Sequence, residues 1–283
     1  MDMPALKPFI LCADDYALTD GVSRGILELA AAGRLGATSA MTNRPQWRRL
    51  APALGALGRP LSVGLHLNLT LGEPLTRAPS LAAAGRFRPL GEIVRRAFAG
   101  RLVAAELRAE IAAQLDAFGE GLGRMPDYVD GHQHVHVLPG VREQLLAVLG
   151  GEGLAGRLWI RDPGDMPAAI LARRHCTRKA LLLRLFAHGF AAAARRSGFA
   201  TNAGFAGFSR FAAAGDYAGE FATYLIAPGQ RHLVMCHPGY VDDELRGLDP
   251  AVESRPRELM FLVSRDLEEV CEAARMRLAR DWH

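Results

Sequence analysis

Three of the nine histidines in this 283-residue chain fall within five positions, in Asp130-Gly131-His132-Gln133-His134-Val135-His136, directly after the apolar pair Tyr128-Val129. Clustered imidazoles repel one another when protonated and compete for partners when neutral, and a bound cation relieves both conflicts by keeping the rings deprotonated. The segment therefore points to a metal site; its competing reading is a strand of alternating histidines at a solvated edge. Other residues of the same chemical type sit at or near the ends of short apolar runs: Asp14-Asp15 after Phe9-Ala13, His66 in Leu61-Leu67, Arg161 after Leu158-Ile160, and His237 after Leu233-Cys236. One carboxylate with two neutral imidazoles holds a divalent cation and leaves positions for water and substrate. The candidate ligands are Asp15, His66 and His132, with His136 an alternative to His132. Oxygen and nitrogen donors of this kind suit Mg or Zn, and also Mn or Co. Asp14 is then the candidate general base, kept ionised by the nearby cation, with Arg161 placed to pair with it and His237 the candidate general acid. Adjacent side chains alternate along a continuing strand, so Asp14 and Asp15 are expected to point in different directions.

These residues are hundreds of positions apart, and the elements between them must bring them together. The apolar runs Phe9-Ala13, Thr38-Met41, Leu61-Leu67, Asp127-Val129, Leu158-Ile160 and Leu233-Cys236 have strand length. They alternate with helical patterns over Gly21-Ala32, Ala104-Phe118, Val141-Leu149, Ala168-Arg196 and Glu258-Arg280. Leu107, Ile111, Leu115 and Phe118 give the second of these an apolar stripe at helical spacing. Strands alternating with helices indicate βα units and a parallel sheet, in which all carboxyl ends of strands face one way and assemble a site there. The expectation is a single α/β domain over residues 1–283, a distorted (β/α) barrel of mainly parallel strands. A Pro- and Gly-rich loop insertion is expected around 71–89 and a helical insertion around 168–196. Thr19-Asp20 ahead of Gly21 is a helix cap. His175, His188, His232 and His283 lack supporting context and read as structural.

Hydrophobic residues make up 49% of the chain and charged residues 23%, the balance of an ordinary globular protein. The net charge is only +4, and all but two of the 34 basic residues are arginine, Lys7 and Lys179 being the exceptions. There is no basic run interleaved with aromatics, so nucleic acid is excluded as a partner. Cys12, Cys176, Cys236 and Cys271 are scattered without a CxxC pair, a reduced, cytoplasmic pattern rather than a disulfide framework. No secretory signal and no transmembrane run is expected.

Four motifs, in order, carry a resemblance: Ala13-Asp14-Asp15-Tyr16, Gly64-Leu65-His66-Leu67-Asn68-Leu69-Thr70, Asp130 to His136, and Cys236-His237-Pro238-Gly239-Tyr240. Together they resemble the YdjC-like carbohydrate deacetylases, which include chitooligosaccharide deacetylases and hopanoid-biosynthesis-associated deacetylases. The resemblance implies a distorted β/α barrel, one divalent metal and hydrolysis of an N-acetyl group on an amino sugar, borne by a glycan or glycolipid. It implies Asp14 as base, Asp15, His66 and His132 as ligands, and His237 as acid. Asn43, Asn68, His134, His136 and Tyr240 are expected to face the substrate. A homodimer is the family-level expectation. The doublet is followed by Tyr16-Ala17, where the family usually has an aromatic residue and then glycine. The apolar, arginine-flanked stretch Arg173-Arg196 and Phe205-Ala206-Gly207-Phe208 are closer to the hopanoid-associated branch. Membrane contact through that stretch would be at most peripheral.

Two rival readings share the residues. Two histidines and a carboxylate also form the facial triad of non-haem iron oxygenases, which need neither a second carboxylate like Asp14 nor a proton donor like His237. A non-catalytic sugar-binding protein would keep metal and sheet without turnover, and would not need the base and acid positions.

Overall fold

The computed structural model describes residues 6–57, 61–212, 214–249 and 252–281. Strands β1 (Lys7–Tyr16), β2 (Ala37–Ala40) and β3 (Ser62–Leu67) alternate with helices α1 (Asp20–Ala31) and α2 (Trp47–Gly55). A two-stranded hairpin of β4 (Ala82–Ala83) and β5 (Arg86–Phe87) precedes helices α3 (Leu90–Phe98) and α4 (Ala104–Leu122). Then come β6 (Tyr128–Gly131), α5 (Val141–Gly151), β7 (Trp159–Ile160) and helices α6 (Pro167–Arg173), α7 (Thr177–Phe186) and α8 (Phe190–Arg196). The chain closes with β8 (Ala200–Thr201), β9 (Phe205–Ala206), α9 (Tyr217–Tyr224), β10 (His232–Cys236), α10 (Asp243–Leu248), α11 (Ser254–Val263), α12 (Asp266–Ala273) and β11 (Met276–Leu278).

The large sheet runs β8-β7-β6-β3-β2-β1-β10-β9, with β11 on the first residues of β1, and every pairing in it is parallel. Helices on its outer face and side chains within account for the continuous burial of Phe9 to Leu18. The edge strands β8 and β9 are separated only by Asn202, Ala203 and Gly204, so the sheet must curl until its edges approach. Asn202 spans the gap by donating from Nδ2 to the carbonyls of Asp162 (2.9 Å) and Gly204 (3.1 Å) and accepting from the Asp162 N–H (2.7 Å). The result is the expected α/β architecture, a mostly parallel sheet curled into a half-barrel. Inside it Tyr128 stacks on Trp159 with centroids 4.2 Å apart. Gly64 makes room for Tyr128, because a Cβ there would stand 2.4 Å from the phenol ring.

Each of the six strand runs read from the sequence is a strand, with ends shifted by a few residues. The helical readings are coarser than the molecule. The stretch 168–196 is three helices, broken where Arg174 and Cys176 take left-handed backbone (φ 54° and 46°) and again at Gly189 (φ 77°). The stretch 258–280 is the end of α11, α12 and the extra strand β11. The segment 71–89 contains the β4–β5 hairpin rather than loop alone. Helix α1 begins where expected, with Thr19 Oγ1 accepting from the Val22 N–H. His283 lies outside the described residues. No helix among the described residues is long and apolar enough to cross a membrane.

Candidate active site

The parallel sheet places Asp14 and Asp15 (β1), His66 (β3), Asp130 (β6) and, just past their strands, His132, Arg161 and His237 at one rim. Asp15 Oδ1 lies 2.9 Å from His132 Nδ1 and 3.3 Å from His66 Nε2, and one ligand atom from each of the three falls within 4.8 Å of the others. Donors at about 2.1 Å from one divalent ion lie about 3.0–3.4 Å apart at octahedral or tetrahedral angles, so the spacing fits a cation. The surroundings fit too. His66 and Asp130 are register partners of β3 and β6, and His66 Nδ1 meets Asp130 Oδ1 at 2.7 Å. A carboxylate there fixes the ring's tautomer and turns Nε2 inward. Burial disfavours a charged His66, yet Asp130 outweighs burial and lifts its pKa to about 10. That field is one a cation can exploit by displacing the proton. Burial would also raise Asp15, but Arg255, 2.7 Å from Oδ2, and His132 hold it well below the carboxylate range.

Asp14 is 2% exposed and is gripped by both terminal nitrogens of Arg161, Nη1 donating to Oδ2 (2.7 Å) and Nη2 to Oδ1 (2.6 Å). Ser39 Oγ donates to Oδ1 at 3.3 Å. Burial pushes the carboxyl up and the guanidinium more than reverses this, so Asp14 stays ionised. Arg161 Nη2 is also 2.6 Å from Asp130 Oδ2, so one fully buried arginine links the Asp14 carboxylate to the one that orients His66. Such a fork needs guanidinium geometry.

Asp14 and Asp15 do not diverge as a regular strand requires. Asp15 has φ 73°, and the β1–β2 register shifts between Ala13 and Tyr16. This kink turns both carboxylates into one cavity of about 330 Å³, which His66, His132, His134 and His237 also line. Ala17, where the resembled family usually has glycine, has φ 69°. The backbone therefore keeps the left-handed turn that glycine takes without strain, and alanine bears a cost of about 1 kcal/mol for it. After β6, Gln133 and His134 are left-handed as well (φ 52° and 59°), a turn that aims His132 and His134 at the cavity and His136 away from it.

Residues 8–273 match the profile of the YdjC-like protein family. The chain belongs to that family. Among curated relatives, a chitooligosaccharide deacetylase of Klebsiella pneumoniae (strain 342) is 32% identical over 244 residues, covering 85% of both chains. One from Escherichia fergusonii is 29% identical over 251 residues, covering 84% of this chain and 83% of that one. The fold matches a solved structure from Enterococcus faecalis V583 whose name assigns it, provisionally, to cellobiose-phosphate cleavage. The TM-score is 0.70 at 24% identity, over 97% of both chains.

Several residues expected to face the substrate in this YdjC-like chain are engaged by neighbouring protein groups and lie outside the cavity lining. Asn68 Oδ1 accepts from the N–H groups of Thr70 and Leu71, and its Nδ2 donates to Asn43 Oδ1 (3.0 Å) and the Leu71 carbonyl (2.7 Å). Asn43 in turn donates to the Glu73 carbonyl; the pair shapes the loop after β3 and does not line the cavity. The Tyr240 hydroxyl donates to Glu28, and its ring lies under Arg24. His136 donates from Nε2 to the Arg161 carbonyl at 2.8 Å, so it takes no ligand position in place of His132. Of the substrate-facing set, His134 lines the cavity, packed edge-on to Phe205 and Phe208.

His136 and His232 share one arrangement: a buried ring whose Nε2–H meets a carbonyl (Arg161 and Tyr224, the latter at 2.9 Å) and whose Nδ1 has no partner. Burial lowers both to about 4. Between pH 6.5 and 4 the unfolded chain binds a proton at each while the folded chain does not. Stability is therefore expected to fall as pH drops through that window, by on the order of 3 kcal/mol per histidine. Urea midpoints across this range check it, with a shallower slope in His232→Gln; a flat profile contradicts it.

Sequence reasoning assigned no role to Asp130, Arg255 or Glu258. Asp130 stood within the histidine motif, and its register partnership with His66 was the available signal. Arg255 and Glu258 lie on α11, three residues apart and remote in sequence from everything they touch.

Proposed function

We propose that this carbohydrate deacetylase hydrolyses the N-acetyl group of an amino sugar, with one divalent metal held by Asp15, His66 and His132. The carrying observation is the convergence of that donor set with a second, ionised carboxylate outside it, Asp14, and a histidine, His237, around one cavity. The bound ion would supply Lewis-acid polarisation of the acetyl carbonyl and of water. Asp14 takes the proton of the attacking water, and Arg161 keeps it ionised and aimed. His237 gives a proton to the amine nitrogen as the C–N bond breaks, so that acetate and the free amine leave. Asp14 and His237 have no part in a facial-triad oxygenase, which favours the hydrolytic reading.

A glycolipid substrate is favoured over a soluble glycan by the cavity walls. Leu90 and Val94 of α3 and Leu182, Leu183 and Phe186 of α7 all line it, and Leu182 is 53% exposed. Apolar walls of this kind suit a hydrocarbon aglycone better than hydroxyls.

The test is acetate release from N-acetylated chitooligosaccharides and from an alkyl N-acetylglucosaminide, with metal content measured in parallel. Chelation is expected to abolish release and Mg, Zn, Mn or Co to restore it. His66→Ala and His132→Ala are each expected to lose bound metal and activity together. Turnover without metal, or no acetate from any N-acetylated sugar, overturns the proposal.

A further inference from the structure

Helix α11 reaches both halves of the site. Arg255 ion-pairs with Asp15 Oδ2, and three residues on, at the next turn of the same face, Glu258 reaches His237. Glu258 is 1% exposed. Its Oε2 accepts the His237 backbone N–H at 2.7 Å and the Tyr217 hydroxyl at 3.1 Å. Its Oε1 is buried without a partner, and so is Nδ1 of His237. A buried acceptor and a buried ring nitrogen are thus both orphaned on two residues already joined by a short hydrogen bond. Buried polar groups are rarely left in that state.

We propose that Glu258 is the positioning residue for His237: beyond its contact with the backbone N–H, a turn of the ring brings Nδ1–H to the unpartnered carboxylate oxygen, so that the ring is held protonated with Nε2 turned to the cavity. This rests on the reading of His237 as general acid. In the proton-transfer step the C–N bond pair leaves on the sugar nitrogen, which takes the Nε2 proton. Glu258 stays ionised and touches no reacting atom. A carboxylate behind an imidazole selects its tautomer and stabilises its charged form. The other groups around the ring are arranged differently. Asp14 faces it across the cavity but is committed to Arg161. Lys179 of α7 lies over the Phe211 ring, itself edge-on to His237. Asp249, His132 and His134 line the same cavity. Burial raises the Glu258 carboxyl, and its contacts with His237, Tyr217 and Arg255 pull it back only in part.

The experiment compares native enzyme, Glu258→Gln and His237→Ala, using an N-acetylated chitooligosaccharide as probe. Glutamine can still accept from the His237 N–H and Tyr217 O–H but carries no charge. Glu258→Gln is expected to lower kcat about tenfold or more, with KM and bound metal unchanged. The alkaline limb of its pH–rate profile should move down by about one pH unit, which a merely structural residue would not cause. An unshifted limb with kcat within twofold of native overturns the proposal. If His237→Ala keeps native kcat, the general-acid reading fails instead. Should Glu258→Gln fail to fold, nitrogen-15 NMR of the intact native enzyme decides: a hydrogen-bonded Nδ1 proton on His237 supports the pairing, and its absence at neutral pH overturns it.

Discussion

Asp14→Asn is expected to leave a folded, metal-loaded protein whose kcat is about 10²–10⁴-fold below native, the range over which a positioned base contributes. The fold survives because Arg161 retains a second counterion, Asp130 Oδ2 at 2.6 Å, and because the Asn carbonyl oxygen can still accept one of the two guanidinium hydrogen bonds. The metal stays because Asp14 is outside the set formed by Asp15, His66 and His132. Chemistry is lost because an amide cannot take the water's proton. Elemental analysis alongside initial rates of acetate release checks both halves. A kcat within tenfold of native would remove Asp14 from the role of base, and loss of metal would make it a ligand.

Arg161→Ala is expected to be the more damaging change for the protein as a whole. The guanidinium is fully buried and stands between the equally sequestered carboxylates of Asp14 and Asp130. Removing it leaves two like charges in a dry interior, and breaking a buried pair from one side costs about 3–5 kcal/mol. At roughly 2–4 °C per kcal/mol for a chain of this size, the thermal midpoint should fall by about 10 °C. Activity should vanish in whatever remains folded, since Asp14 would then take up a proton instead of staying ionised. Arg161→Lys should recover part of the stability and little of the activity, because a single ammonium cannot reproduce the two-nitrogen fork that grips both oxygens of Asp14 while also reaching Asp130. An unchanged midpoint in Arg161→Ala would mean that the buried network is not held together by charge.

Most of what the sequence determined about this protein concerns which residues meet. Apolar runs at Phe9-Ala13, Leu61-Leu67 and Leu233-Cys236, separated by helical stripes, commit the chain to parallel strands, and parallel strands bring their carboxyl ends to one rim. The co-location of Asp15, His66, His132, Asp14, Arg161 and His237 follows from that topology alone. Helix breaks at Arg174 and Cys176 were not legible, because neither residue type signals left-handed backbone and tertiary packing imposes it.

Tertiary structure decided direction and partnership. Strand alternation sends Asp14 and Asp15 apart, but the kink at Asp15 brings both into the cavity, and a positive φ at a non-glycine residue has no sequence signature. Of the three clustered histidines, the left-handed pair Gln133-His134 sends His132 toward Asp15 and His136 toward the Arg161 carbonyl. Asn43, Asn68 and Tyr240 had the chemistry of substrate contacts, yet nearby backbone and side-chain groups claimed their hydrogen bonds first. Arg255 and Glu258, which support Asp15 and His237 from α11, reach them only through long-range packing. Residue type and strand order are local properties of the chain, whereas the aim of a side chain depends on φ at one or two residues and on which distant group satisfies it.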